Sequence, residues 1–165
     1  MRANLMRWWL NLYGPYVGAG VHVERISDDY GACDVVMRMR PWTRNAVGTH
    51  FGGSLYSMVD PFYMLLLMRQ LGKDYLVWDQ AAHIDFVSPG HGTVRAAFRL
   101  DPAQVAAIRQ QAADGRAVRP EFSVEVLGED GRVVARVRKV LYVRLKPALR
   151  PPAAAEISAP AIPLE

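Results

Sequence analysis

The chain has 165 residues, 51% of them hydrophobic and 22% charged, with 13 glycines and 11 prolines. That is the size and composition of one globular domain around one core, not of a disordered chain. Its 20 Lys+Arg against 16 Asp+Glu give a formal charge of +4, which suits a ligand carrying phosphates or carboxylates but falls short of the dense basic patches of a nucleic-acid binder. The single cysteine, Cys33, excludes an internal disulfide and a cysteine-based zinc site, and fits a reducing, cytoplasmic compartment.

The first stretch, "MRANLMRWWLNLYGPYVGAG", has an arginine start and an apolar middle. Asn11 and Gly14-Pro15 interrupt it and no small-residue cleavage site follows, which argues against a signal peptide. Leu5, Trp8, Trp9 and Leu12 recur at helical spacing, so residues 1–18 are expected to form an amphipathic extension whose apolar face packs on the domain. Contact with a membrane surface through Trp8 and Trp9 is the minority reading.

Two strand-like runs, 19–28 and 32–40, flank the turn-forming "DDYG". In the second run Val35, Met37 and Met39 alternate with Val36, Arg38 and Arg40, the period of a half-exposed strand. Residues 53–70 predict a helix with hardly any polar face, hence one surrounded by protein; Asp60, Pro61 and the glycine pair make it a poor membrane span. Four further strands are expected in "LVWDQAAHIDFV", "GTVRAAFRL", "EFSVEVLG" and "RVVARVRKVLYVRL", the last two joined across "EDG" as a hairpin. A short helix between the second and third of these is capped by Asp101, with Pro102 in its first turn and Gly115 at its end. The Pro/Ala-rich residues 147–165 read as a disordered tail. The domain is thus 19–146: an α+β architecture in which about six antiparallel strands wrap a long central helix.

"NAVGTHFGGSLYSMVDPF", residues 45–62, carries the chemistry. Asp60 is the only acidic or basic side chain between His50 and Arg69. It reads as a general base or nucleophile, or as the cap of a helical segment restarting at Pro61. Amide N–H groups at a helix N-terminus lack intrahelical partners, and glycine lets a substrate approach them. Gly52 and Gly53 are therefore either oxyanion donors or simply close-packing residues. Asn45 is a candidate to orient the attacking water, or an ordinary turn residue. His50 reads as a catalytic candidate or as the donor to a nearby carbonyl.

The pattern of residues 20–145 resembles the hotdog-fold acyl-CoA thioesterases of the phenylacetyl-CoA and 4-hydroxybenzoyl-CoA type. Asn45, Gly48, Gly52, Gly53 and Asp60 fall at the positions of that family's signature, "HIDFVSPGHGTVRAAF" resembles its strand pair, and "LGEDGRVVARVRKVLYVR" its terminal hairpin. Phe51 stands where the family's histidine falls, and Met64 where a hydroxyl is often found, so the "FGG" form looks closest to an uncharacterised branch. The resemblance implies a hotdog fold, a coenzyme A thioester as substrate, no cofactor, and a homodimer or dimer of dimers with the site at its interface. It puts Asp60, Asn45, Gly52, Gly53 and His50 at the catalytic centre.

Spacing points the same way on the dimer. Gly52 and Asp60 are eight residues apart, about 12 Å along a helix at about 1.5 Å per residue, too far to act on one carbonyl; Asp60 would then work with the glycine turn of a second subunit. Phe51, Met58, Phe62, Tyr63 and Met64 are candidates to line an acyl pocket or to be plain core. Arg136 and Arg138 are candidates for the phosphates of coenzyme A, or part of a solvated strand face. No histidine lies at metal-ligand spacing from a carboxylate, so no metal is expected. Against the thioesterase reading stand a non-catalytic acyl-CoA or lipid-binding protein, favoured by Phe51 and Met64, and a hotdog hydratase or dehydratase.

Overall fold

The computed structural model describes residues 2–150; the expected disordered tail lies, from residue 151 on, outside the described residues. Alternating burial builds the sheet. Strands β1 (Val21–Ile26), β2 (Ala32–Arg38), β3 (Tyr75–Phe86), β4 (Thr93–Arg99), β5 (Glu121–Leu127) and β6 (Val133–Leu145) pair in the order β1-β2-β4-β5-β6-β3, every pair antiparallel. In β5, Phe122, Val124 and Val126 face inward while Glu121, Ser123 and Glu125 face out, the period-2 pattern of a sheet covered on one side.

The helices pack on the inner face. The central helix expected over 53–70 is present as two segments, α3 (Gly52–Ser57) and α4 (Phe62–Leu71). Pro61 supplies no N–H and its ring opposes the preceding turn, so the helix breaks there. Asp60 does not cap the restart: Pro61 occupies the N-cap position and no side chain bonds to the first turn. Buried Phe62 lies 5.0 Å from the Phe98 ring, which Tyr63 meets edge-on at 5.1 Å. The short helix α5 (Pro102–Gln111), which adds Val105 and Ile108 to the core, starts as expected, with the Asp101 carboxylate accepting from Ala103 N–H at 2.9 Å.

The extension forms α1 (Ala3–Asn11) and α2 (Gly14–Ala19) and lies along the open edge of β1. Asn11 acts there as a substitute strand, donating Nδ2–H to Val23 O at 3.0 Å and accepting from Val23 N–H at 2.7 Å. The expectation that Leu5, Trp8, Trp9 and Leu12 pack on the domain is overturned. Ala3, Met6 and Leu10 are the buried face of α1, and the other four project outward. Both faces of the helix are apolar, so spacing alone could not choose between them. Among the described residues no helix is long and apolar enough to cross a membrane.

Candidate active site

The break between α3 and α4 places Asp60 against a residue that the sequence reading passed over. Lys139, on the inner face of β6, has a fully buried side chain. Its Nζ lies 2.9 Å from Asp60 Oδ1, 3.0 Å from Asp79 Oδ1 and 3.5 Å from the Tyr56 hydroxyl. The Asp60 contact is an aligned hydrogen bond; the Asp79 contact is an ion pair by distance, with Oδ1 left without an aligned donor. Burial works against the lysine's charge, but the two carboxylates outweigh it and hold its pKa above the ordinary 10.5. Burial pushes the Asp79 carboxyl up, with Lys139 pulling the other way. Asp60 differs from both partners in remaining 46% exposed at its side chain, so a carboxylate fixed by a buried cation still faces solvent.

Asp79 reaches the cluster from the inner face of β3, just before a defect in that strand. Its register on β6 shifts between Asp79 and Ala81, so that Asp79 pairs with Leu141 and Ala82 with Lys139, both on the buried face of β6. Asp79 shares the inner face with buried Val77 two residues before it; the extra residue of the bulge that follows resets the alternation, so that Ala82 and Ile84 face in while His83 and Asp85 point out, 3.0 Å apart and exposed. The signal that could have found Lys139 is its parity. Val133, Ala135, Val137, Leu141 and Val143 form the apolar face of the strand, and Lys139 occupies the vacant odd position among them.

The other expected catalytic residues gather elsewhere, around a cleft of about 420 Å³ lined by Asn45, His50, Gly52, Leu55, Phe86 and Val87 among others. Asn45 is a turn residue: Oδ1 accepts from Val47 and Thr49 N–H, and Nδ2 donates to Thr49 Oγ1 at 2.8 Å. His50 is buried, its Nε2 3.0 Å from Gly92 O. That carbonyl accepts, so Nε2 carries the proton and Nδ1 is left as a buried acceptor without a partner. Burial lowers the His50 pKa below 6.5, and His91 adds to it. Gly52 and Gly53 open α3, where first-turn amides have no intrahelical acceptor. The Phe86 ring covers Gly52 and the exposed Phe51 ring covers Gly53.

The structure thus keeps Asp60 out of the cleft at the glycine turn, and the expected site residues fall into two candidate half-sites. Met58, Phe62 and Tyr63 are core rather than pocket, and Met64 packs partly buried against that core. Arg136 and Arg138 lie on the outer face of the sheet, away from both half-sites; Arg136 bonds Glu125 at 2.8 Å. Cys33 is buried, and burial beside Asp34 pushes its thiol up to about 12, so it offers no thiolate.

An antiparallel sheet of six strands wrapped on one face around a central helix makes this a hotdog-fold protein. The chain belongs to the family described as "Domain of unknown function (DUF4442)", whose profile matches residues 2–143. No curated protein matches the sequence. Among solved structures, it is similar to PA5026 of Pseudomonas aeruginosa, a protein of unknown function described as "Probable Thioesterase" (TM-score 0.76, 18% identity, 87% of this chain and 95% of that one). It is also similar to OLEI01261 of Chlorobaculum tepidum, of unknown function (0.70, 13%, 87% and 94%). A third is the thioesterase HI1161 of Haemophilus influenzae (0.63, 12%, 93% and 96%).

Proposed function

We propose that the protein is an acyl-CoA thioesterase acting as a homodimer, with Asp60 as general base or nucleophile. The observation that carries this reading is the half-exposed Asp60 carboxylate held by the buried Lys139 ammonium at 2.9 Å. A carboxylate with one oxygen fixed can present the other to water. In the base version, Asp60 takes a water proton as the oxygen adds to the thioester carbon, and collapse of the tetrahedral intermediate breaks the C–S bond, releasing acid and the thiolate of coenzyme A. Helix N-terminal amides of Gly52 and Gly53 would hold the oxyanion, an arrangement worth about 3 to 4 kcal/mol per donor where donors have been removed.

The two half-sites come from different subunits in this reading. Phe86, at the end of β3, marks the glycine cleft, and Asp79 marks the Asp60 cluster; they lie about 23 Å apart along the strand at about 3.3 Å per residue. β3 is an edge strand of 12 residues, mostly exposed from Trp78 onward, and such an edge invites a second strand. Antiparallel pairing of two copies of β3, centred on His83 once the bulge is counted as one position, sets Asp79 of one protomer opposite Phe86 of the other. Each Asp60 then meets its partner's glycine turn. No metal or cofactor enters this scheme.

A second reading rests on Phe51, whose exposed ring fills the space beside Gly53: a hotdog dimer that holds acyl-CoA without cleaving it. Assay of the purified protein against a panel of acyl-CoA thioesters, following free thiol, separates the two. Turnover that falls about 100-fold or more in Asp60→Asn and Asp60→Ala, both still folded, supports the thioesterase. Acyl-CoA binding without turnover across the panel selects the binding protein.

A further inference from the structure

The outward face of α1 is an apolar surface that the domain leaves open, and it is not part of either half-site. Leu5, Trp8, Trp9 and Leu12 stand 58%, 60%, 66% and 76% exposed on one side of the helix. The opposite side is anchored on β1 by Met6, Leu10 and the two Asn11 hydrogen bonds. The helix is therefore a preformed foot rather than a mobile arm. Its surface continues beyond its own end. Trp9 stacks on Tyr13 at 6.4 Å, Val17 follows one turn on with its N–H on Tyr13 O, and Val17 shares a groove with the 70% exposed Trp42.

The charges bordering this ridge are mostly of one sign. Arg2 precedes the helix, Arg7 lies over the Trp8 ring at 5.5 Å, and Arg38 and Arg40 line the groove of Val17 and Trp42. Among the described residues none of these four arginines pairs with a carboxylate, so their charge is not offset within the domain. Asp28, in the groove beside Leu5 and Trp8, is the acidic exception. Tryptophans with an apolar ring and an N–H settle at the level of lipid headgroups. Flanking arginines find phosphates there, and a helix lying flat inserts its apolar side while basic residues hold the anionic surface. The ridge also sits at the sheet edge opposite β3, so it stays open whether or not two copies of β3 pair.

We propose that this ridge docks the protein on an anionic membrane surface, with Trp8 and Trp9 at headgroup depth and Arg2, Arg7, Arg38 and Arg40 on lipid phosphates. The inference is independent of the thioesterase reading, because its test measures partitioning and not turnover.

The experiment is co-sedimentation of the full chain with vesicles of pure phosphatidylcholine and of equal phosphatidylcholine and phosphatidylglycerol, with tryptophan emission recorded on the same samples. The expected result is binding to the anionic vesicles with a blue shift, weakened by raised salt and reduced roughly tenfold or more in Trp8→Ser/Trp9→Ser. Those positions are exposed, so circular dichroism of the variant should match the parent. Failure of the parent to bind anionic vesicles overturns the proposal, as does binding that the double variant retains. A parent oligomer that dissociates in the double variant, with no vesicle binding by either, also overturns it and assigns the face to contact between copies.

Discussion

Lys139 Nζ lies 2.9 Å from Asp60 Oδ1, and through the same ammonium Asp60 is joined to Asp79 at 3.0 Å, so one buried cation ties the helix break to β3 and β6. Asp60→Asn leaves Lys139 with Asp79 as counter-charge and keeps an oxygen toward Nζ. Its expected cost is about 1 kcal/mol. Asp60→Asn combined with Asp79→Asn strands a fully buried ammonium, and the expected cost rises to about 3 to 5 kcal/mol. Chemical denaturation of both single variants and the double variant measures this; strictly additive costs would show that the two carboxylates do not share Lys139.

Edge pairing of β3 makes a separate prediction. His83 is exposed, on the side of the strand opposite Ala82, and lies at the centre expected for a two-fold β3 pair. His83→Glu would set two like charges against each other across that axis, an unfavourable arrangement in a sheet, while leaving the protomer's own core untouched. Sedimentation velocity should show a dimer for the parent and a monomer for the variant, and the monomer should have lost thioester turnover. A variant that remains a fully active dimer would exclude β3 as the interface.

The sheet, its turns and the central helix were legible because each rests on a local pattern: alternation in β5, the "EDG" turn, the Asp101-Pro102 helix start. Asp60 stood out because nothing else charged lies near it in sequence. Its partners did not, since the bulge just after Asp79 breaks the strict alternation by which faces are assigned, and Asp79 does not share the parity of inward Ala82 and Ile84. Lys139 kept the parity of its apolar neighbours yet blended into a strand rich in arginine. The helix break was foreshadowed by Pro61, but a cap at Asp60 was one of two readings and the structure uses the carboxylate elsewhere. For α1, two apolar faces offered equal patterns, and only β1 decides which is buried.

The buried groups also set a pH window. The His50 pKa is lowered from 6.5 by burial, so the unfolded chain binds a proton that the folded chain refuses. Stability from this group is present above 6.5 and is lost as pH falls through the folded value. Lys139 is raised above 10.5, so its contribution is present below 10.5 and is lost as pH rises through the folded value. Asp79, raised from 3.8, adds a loss as pH rises out of the acid range. His50→Gln, which can still donate to Gly92 O, should flatten the decline below 6.5 and leave the alkaline limb unchanged; Lys139→Met should remove the alkaline limb but raise Asp79 further, since it takes away the cation that pulls that carboxyl down. Thermal melts across pH read both limbs, and a parent-like acid limb in His50→Gln would rule His50 out as its source.

Gly52 offers a test of the oxyanion role in which stability and turnover should move apart. A Cβ built there would meet Phe86 Cζ at 3.0 Å, but that ring is 58% exposed and can swing aside. Alanine also favours a helix over glycine by about 1 kcal/mol, so Gly52→Ala should leave the melting temperature near that of the parent. The new methyl and the displaced ring would instead narrow the cleft at the first-turn amide, where a thioester carbonyl must approach. Turnover is expected to fall about tenfold or more, since small misplacement of a reacting group is enough for that. Phe86→Leu in the Gly52→Ala background should recover part of the loss by returning space to the ring side of the cleft. At Gly53 the added methyl meets only the exposed Phe51 ring, so Gly53→Ala with Phe51→Leu is the matching control on the other side of the turn. Unchanged turnover in Gly52→Ala, with the fold intact, would mean that no carbonyl sits at this amide and that the glycines serve packing alone.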